Sequence, residues 1–352
     1  MLRGLLSREC VHNALIKPKS DINKALCLTL RYREDTIEQK MENEFNTSTS
    51  FILLGIEEME HNKYLYCAFL LITYLLILLF SCLIISVVLL DESLHCPMYT
   101  LIANLMLNGI FGASCFLPKL ILDLFFSSKV ISRAACFIQS FCVTLFAFCE
   151  ISIFTTMAYD TYLAVGHPLR YPTLMTNKTA LRLIAGFLFF NIISMLINLL
   201  LSARLPLCGS HINNFFCDNL SIFILSCVDN SPNKLYSAAV FATYIPLTVL
   251  TIAYSYVRIL LICWKVSQSA SRKAIHTLVT HVSNFAIFMG AVLFIFIRYR
   301  LKSINLPLVV HILPSIIGST FPPLLNPLIY GIRTKALKIK VISHLQKMMV
   351  KI

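Results

Sequence analysis

Charge is scarce in this chain, and negative charge is scarcest. Only 13% of the 352 residues are charged, with 17 acids against 30 Lys and Arg, where a soluble globular domain carries about 25%. That excludes an ordinary water-soluble fold. Glycine is sparse, and no Gly-rich phosphate loop occurs. His276 and His281 stand five apart with no third ligand nearby, and no nucleophile has a positioned base. Nothing therefore supports an enzyme, a metal or another cofactor. The opening MLRGLLSREC lacks the sustained apolar core of a cleavable signal peptide, so the first span is expected to act as its own insertion signal. No internal repeat of the transporter kind is visible.

What is abundant is apolar surface, 57% of the residues. It is gathered into runs long enough to cross a bilayer at roughly 64–90, 98–122, 136–158, 181–203, 235–263, 278–297 and 304–330. The fold class is an all-α membrane protein, a seven-transmembrane helix bundle with a short amphipathic C-terminal helix. The expected division is an extracellular tail at 1–63, a seven-transmembrane domain at 64–331 and a cytoplasmic amphipathic tail at 332–352.

The net charge of +13 could suggest a nucleic-acid partner, but its placement argues against one. With the amino terminus outside, the inner segments hold Arg170, Lys178, Arg182, Arg258, Lys265, Arg272, Lys273 and the basic tail, against Asp91, Glu92 and Asp160. The stretch before span one is acidic. This follows the positive-inside tendency; the first inner loop, without Lys or Arg, and Arg298, Arg300 and Lys302 after span six dissent. In the tail, Leu337, Val341, Leu345, Met348 and Ile352 recur at helical spacing with lysines opposite, a pattern suited to an anionic inner leaflet. Residues 1–40 are polar and mixed in charge; Met41 is the expected true start, or 1–40 a tail. Asn46-Thr47-Ser48 fits a glycosylation acceptor. Asn177-Lys178-Thr179 fits too, but lies inside, and Asn219-Leu220-Ser221 is crowded by cysteines.

The third span organises the rest. Cys136 and Asp160 are 24 residues apart, about 36 Å of helix, against a hydrocarbon core of about 30 Å. Cys136, Val143, Glu150 and Thr161 fall on one stripe, so a thiol at one surface, a mid-membrane acid and a polar residue at the other are aligned. Glu150 is expected to be neutral or hydrogen-bonded and to serve packing; a carrier would use it instead. Asn104 and Asn108 share one face of span two and are expected to bond neighbouring helices. Cys208, Cys217 and Cys227 between spans four and five join Cys136 at one surface, which permits three pairings, while Cys142, Cys149 and Cys263 read as small buried hydrophobes. In span seven Pro322, Pro323 and Pro327 free carbonyls that Asn326 is expected to satisfy.

Several motifs together resemble the olfactory receptors, rhodopsin-like class A G-protein-coupled receptors. They are LHCPMY at 94–99, MAYDTYLAVGHPLRYPTLMT at 157–176, NNFFCD with the three loop cysteines, SYVRIL at 255–260, KAIHTLVTH at 273–281 and PPLLNPLIYGIR at 322–333. NLMLNGIFG in span two looks closer to the fish branch. The resemblance implies disulfides Cys136–Cys217 and Cys208–Cys227, a multi-pass plasma-membrane receptor with its amino terminus outside, a small odorant ligand and a stimulatory, olfactory-type heterotrimeric G protein. It places the ligand among the outer halves of spans three, five, six and seven. Helix position there selects Thr144, Ala147, Phe148, Val240, Phe241, Tyr244, Val292, Phe296 and Ser319, with Arg300 and Arg298 as a basic mouth for an anionic ligand. The inner face carries Asp160, Thr161, Tyr162, Tyr256, Lys273 and Tyr330. This chain departs from the family at Thr161, where an arginine is usual, and at Gly109, Ser81, Leu278 and Met289. Thr161 feeds the alternative of a receptor relic that folds but signals poorly.

Overall fold

Residues 50–264, 268–300, 308–333 and 335–351 are described in the computed structural model of the chain; Met41 and Asn46 fall outside them. Seven long helices follow one another: α1 (Lys63–Leu90), α2 (Pro97–Phe126), α3 (Arg133–Gly166), α4 (Asn177–Ala203), α5 (Ser231–Cys263), α6 (Gln268–Arg300) and α7 (Leu308–Arg333). The eighth, α8 (Lys335–Lys351), is the amphipathic tail. Among the described residues, α1 to α5 are each long and apolar enough to cross a membrane. α6 contributes a shorter apolar stretch, Val282–Phe294.

Most helices run past their apolar cores to polar start and stop signals. Ser132 caps α3 by accepting the Ala135 N–H at 3.3 Å, and Thr176 caps α4 by accepting that of Thr179 at 3.2 Å. Pro97 opens α2 at a position needing no hydrogen-bonded N–H. Ser127 closes α2 in the left-handed region, φ 54°, returning its N–H to the last carbonyls.

Lipid offers no hydrophobic drive for helix association, so close packing and polar bonds must hold such a bundle. At Gly112 the face of α2 lies where the Phe146 ring of α3 sits, with no room for a Cβ. Leucines and phenylalanines of α1, α4 and α5, such as Leu65, Phe69, Phe189, Leu200 and Leu247, face outward, as lipid-facing residues should.

The end of the bundle that carries Cys136, called outer for the orientation expected from the sequence, is roofed by a three-stranded sheet. β1 (Ser50–Leu53) pairs antiparallel with β2 (Val130–Ser132) and parallel with β3 (His211–Ile212). Gly55 follows β1, and a Cβ there would meet the Asn214 backbone at 2.6 Å. Phe51, Leu53, Ile56, Phe215, Phe216 and Phe223 pack beneath this roof on Phe116 of α2. Lys129 ties it down by ion pairs to Glu57 at 3.2 Å and Glu60 at 2.8 Å.

At the opposite end, called inner on the same expectation, α8 folds back on α1. Leu337 is fully buried, and Lys340 pairs with Asp91 at 2.7 Å. Leu345 is exposed beyond them, available to lipid.

Candidate functional site

Residues Ile151–Ala158 are buried without interruption, making α3 the central post of the bundle. Its side chains make three sets of bonds, one at each surface and one between.

At the outer surface Cys136 is disulfide-bonded to Cys217, and Cys208 to Cys227. Gln139 doubles the first link: its carbonyl accepts the Cys217 N–H at 2.9 Å while its amide donates to the Cys115 carbonyl of α2 at 3.3 Å. Asp218, beside the bridge, caps a short helix (Asn219–Ile224) through Ser221 and accepts from Asn214 at 2.9 Å. The Asn219 carbonyl accepts the Ser202 hydroxyl of α4 at 2.7 Å.

Midway, Glu150 is fully buried, and each carboxylate oxygen has its own donor. Asn108 of α2 donates to one at 2.6 Å and Asn326 of α7 to the other at 2.7 Å. Asn284 of α6 in turn donates to Asn326. One polar ladder thus joins four helices. The sequence expectation for Glu150 and Asn108 holds. For Asn326 it does not: its amide serves the acid rather than a carbonyl freed by the prolines. Cys142 is half-buried rather than buried.

At the inner surface Asp160 is buried and accepts the Tyr171 hydroxyl at 2.9 Å. Thr161 turns its hydroxyl to the Met157 carbonyl of its own helix at 2.8 Å, so it supplies no reach toward Asp160. Tyr162 bonds His167 at 3.3 Å and meets the Tyr254 ring edge-on at 6.0 Å. Tyr162 and Tyr256 flank a small cluster of Ile259, Cys263 and Leu278, and Tyr330 is buried at the base of the main core. The Lys340 ammonium, with Ser93, holds the Asp91 carboxyl down to about 2. Asn177 donates to the His95 carbonyl at 2.9 Å, which ties α4 to the first inner loop.

Of the ligand residues expected from helix position, Phe148 and Tyr244 meet at 4.9 Å between ring centres, and Ala147, Phe241 and Val292 pack against the same core. The Tyr244 hydroxyl bonds Ser152, which also accepts the Asn191 amide of α4 at 2.9 Å. Thr144 lies a turn farther out, beside Met195 and Asn198, and Ser319 is buried on α7. The side chains of Lys273, Phe296, Arg298 and Arg300 lie outside the described residues. A cavity of about 340 Å³ opens elsewhere, among α2, α3 and α4. The sequence reading missed Tyr171, Asn284, Gln139 and Asn191. Each is a lone polar residue in an apolar or loop context, and the one available signal, a polar group that lipid would not tolerate unpaired, names no partner.

A family profile described as olfactory receptor matches residues 69–348. The chain is 35% identical to olfactory receptor 1M1 of Homo sapiens over 85% of its length and 95% of that protein's. It is 33% identical to human olfactory receptor 6K3 over 86% and 92%. Among solved structures it resembles squid rhodopsin, with a TM-score of 0.64 at 14% identity over 82% of this chain and 87% of that one.

Proposed function

The chain belongs to the olfactory receptor family, and on that premise we propose that it binds a small odorant and activates a stimulatory heterotrimeric G protein. It is a receptor and not an enzyme, as its family is. The odorant would lie in the outer half of the bundle against Thr144, Ala147, Phe148, Phe241, Tyr244, Val292, Phe296 and Ser319, with Arg300 at the mouth. The G protein would meet the inner surface around Asp160, Thr161, Tyr162, Tyr256, Lys273 and Tyr330. The receptor would sit in the plasma membrane, with 1–63 outside, 64–331 spanning and 332–352 inside.

One observation carries this reading: α3 is bonded to the outer roof, to a four-helix ladder at its middle and to the inner loop at its foot. A ligand wedged between Phe148 and Tyr244 would act on the Ser152 bond, two residues along α3 from Glu150. It can shift the helices only by as much as it prefers one arrangement over the other.

Cells expressing the chain, screened with acids, amines and amino acids for a rise in cAMP, test the reading. A response lost in Phe148→Ala and Tyr244→Phe but unaltered in exposed Leu247→Ala is expected. An ionic current through the protein itself, without cAMP, would overturn it in favour of a carrier.

The second reading, a weakly signalling relic, is favoured by Thr161, whose hydroxyl is occupied within its own helix. Thr161→Arg should then raise the cAMP response severalfold; no gain over the parent dismisses that reading.

A further inference from the structure

Asn104 and Asn108 stand one turn apart on the same face of α2, and with Leu107 and Phe111 they line the cavity among α2, α3 and α4. None of the proposed odorant residues lines it, and neither does any charged side chain among the described residues. Leu107, Phe111 and Leu188, all lining residues, are exposed on the outside of the bundle. They stand on membrane-spanning helices, so the mouth opens to lipid rather than to water.

The two asparagines fare differently. Asn108 commits its amide nitrogen to Glu150 and to the Phe146 carbonyl, while its own side-chain oxygen accepts from no described residue. Asn104, expected to bond a neighbouring helix, bonds none: its carboxamide has no partner among the described residues. Both side chains are half-buried. Neither belongs to the sealed, unpaired side chains of the described residues, which are Ser81, Asn191, Asn233 and Asn284. Their free polar atoms are therefore open to an occupant. Asn104 lies about 10 Å along α2 from Pro97, within the span, where lipid offers an amide nothing to bond. A neutral head that both donates and accepts would complete it.

We infer that this cavity is a second binding site, entered from the bilayer, for a primary amide of a fatty acid. The ligand's carbonyl would accept from the Asn104 amide, and its N–H would donate to the Asn108 side-chain oxygen. Its chain would lie along Leu107, Phe111 and Leu188. The walls select that head: a carboxylate would meet no cation, and an alkane would satisfy neither asparagine. The volume, about 340 Å³, falls within the range of small-molecule sites, about 300–1,000 Å³. The head would sit beside the Asn108–Glu150 bond, so an occupant is placed to bias the four-helix ladder by as much as it prefers one helix arrangement.

Photolabelling the full chain in nanodiscs with a diazirine-bearing dodecanamide, read by peptide mass spectrometry, tests this without reference to signalling. Labels are expected on the segments 104–111 and 184–191. Dodecanamide should compete about tenfold better than its N,N-dimethyl derivative, which cannot donate, the size of one net hydrogen bond. Leu188→Trp, which fills the mouth from its exposed side, should clear label from both segments. Asn104→Leu, at a half-buried position that makes no bond, should leave labelling in place but abolish the advantage of dodecanamide over dodecane. Label confined to α5 and α6, label on these segments unaffected by Leu188→Trp, equal competition by the two amides, or an unchanged advantage in Asn104→Leu each overturns the inference. Failure here leaves the odorant reading intact, because the two sites share no residue.

Discussion

At its outer end α3 is bonded to the roof through Cys136–Cys217 and again through Gln139; at its foot Asp160 is held by one hydroxyl, that of Tyr171. The outer attachments are covalent or redundant: a sheet, two disulfides and the Lys129 ion pairs converge on one surface. The inner ones are single and non-covalent: Asp160 to Tyr171, Tyr162 to His167, Lys340 to Asp91. A helix fixed at one end and lightly held at the other can transmit a change only toward the light end. That asymmetry suits a molecule that takes its ligand outside and reports inside.

The largest effect should come from cutting the outer end. Loop-closure entropy assigns the 81-residue separation of Cys136 and Cys217 about 4.5 kcal/mol, and the 19-residue one of Cys208 and Cys227 about 3 kcal/mol. Cys136→Ser with Cys217→Ser should therefore abolish surface display or lower thermal stability most, and Cys208→Ser with Cys227→Ser less. Equal losses, read by surface staining and thermal unfolding, would mean the two bridges do not divide the work as their loops suggest.

Next is the middle. Glu150→Leu leaves the Asn326 amide without its buried acceptor, at about 1–3 kcal/mol, while Asn108 keeps the Phe146 carbonyl at 3.2 Å. Thermal unfolding of the detergent-solubilised chain should register a loss smaller than that of the first bridge. A stability equal to the parent's would show that the ladder is ornamental.

At the foot, Tyr171→Phe strips a buried carboxylate of its described donor, for about 1–3 kcal/mol. The asymmetry predicts that this loosens the inner end alone: thiol labelling at Cys96 should rise while the Cys136–Cys217 bridge stays intact. A change at the bridge instead would mean the two ends are not independent.

The smallest effect is set by pH. Asp91 has its carboxyl depressed to about 2 by Lys340 and Ser93. Its contribution is present above the unfolded carboxylate value near 3.9 and is lost as pH falls through the folded one. Docking of α8 on α1, followed by a fluorophore on the tail, should weaken between about pH 4 and pH 2, and Asp91→Asn should remove that dependence.

Much of this molecule was legible in the chain. Long apolar runs admit few alternatives to spanning helices, because lipid satisfies no backbone polar group, and the runs at 64–90 and 235–263 end where α1 and α5 end. The flanking turns were less legible. α3 reaches Gly166, well past its apolar run, because polar residues continue a helix as readily as apolar ones once outside hydrocarbon. The bridges expected from the family are the ones present, though the residues alone left three pairings open.

What the sequence determined by itself was the number of long helices, the placing of their apolar runs, and that Glu150 and the asparagines had to find partners: the cost of a bare polar group in lipid forces that much. Which partners they found was decided only in three dimensions. Asn326 lies 176 positions from Glu150 along the chain, and whether its amide meets a carboxylate or a loosened carbonyl depends on the rotation of α7 against α3. No helical period records that rotation. The bond from Asn191 of α4 to Ser152 of α3 has the same origin, since it arises from how α4 is set against α3 and not from any residue taken alone.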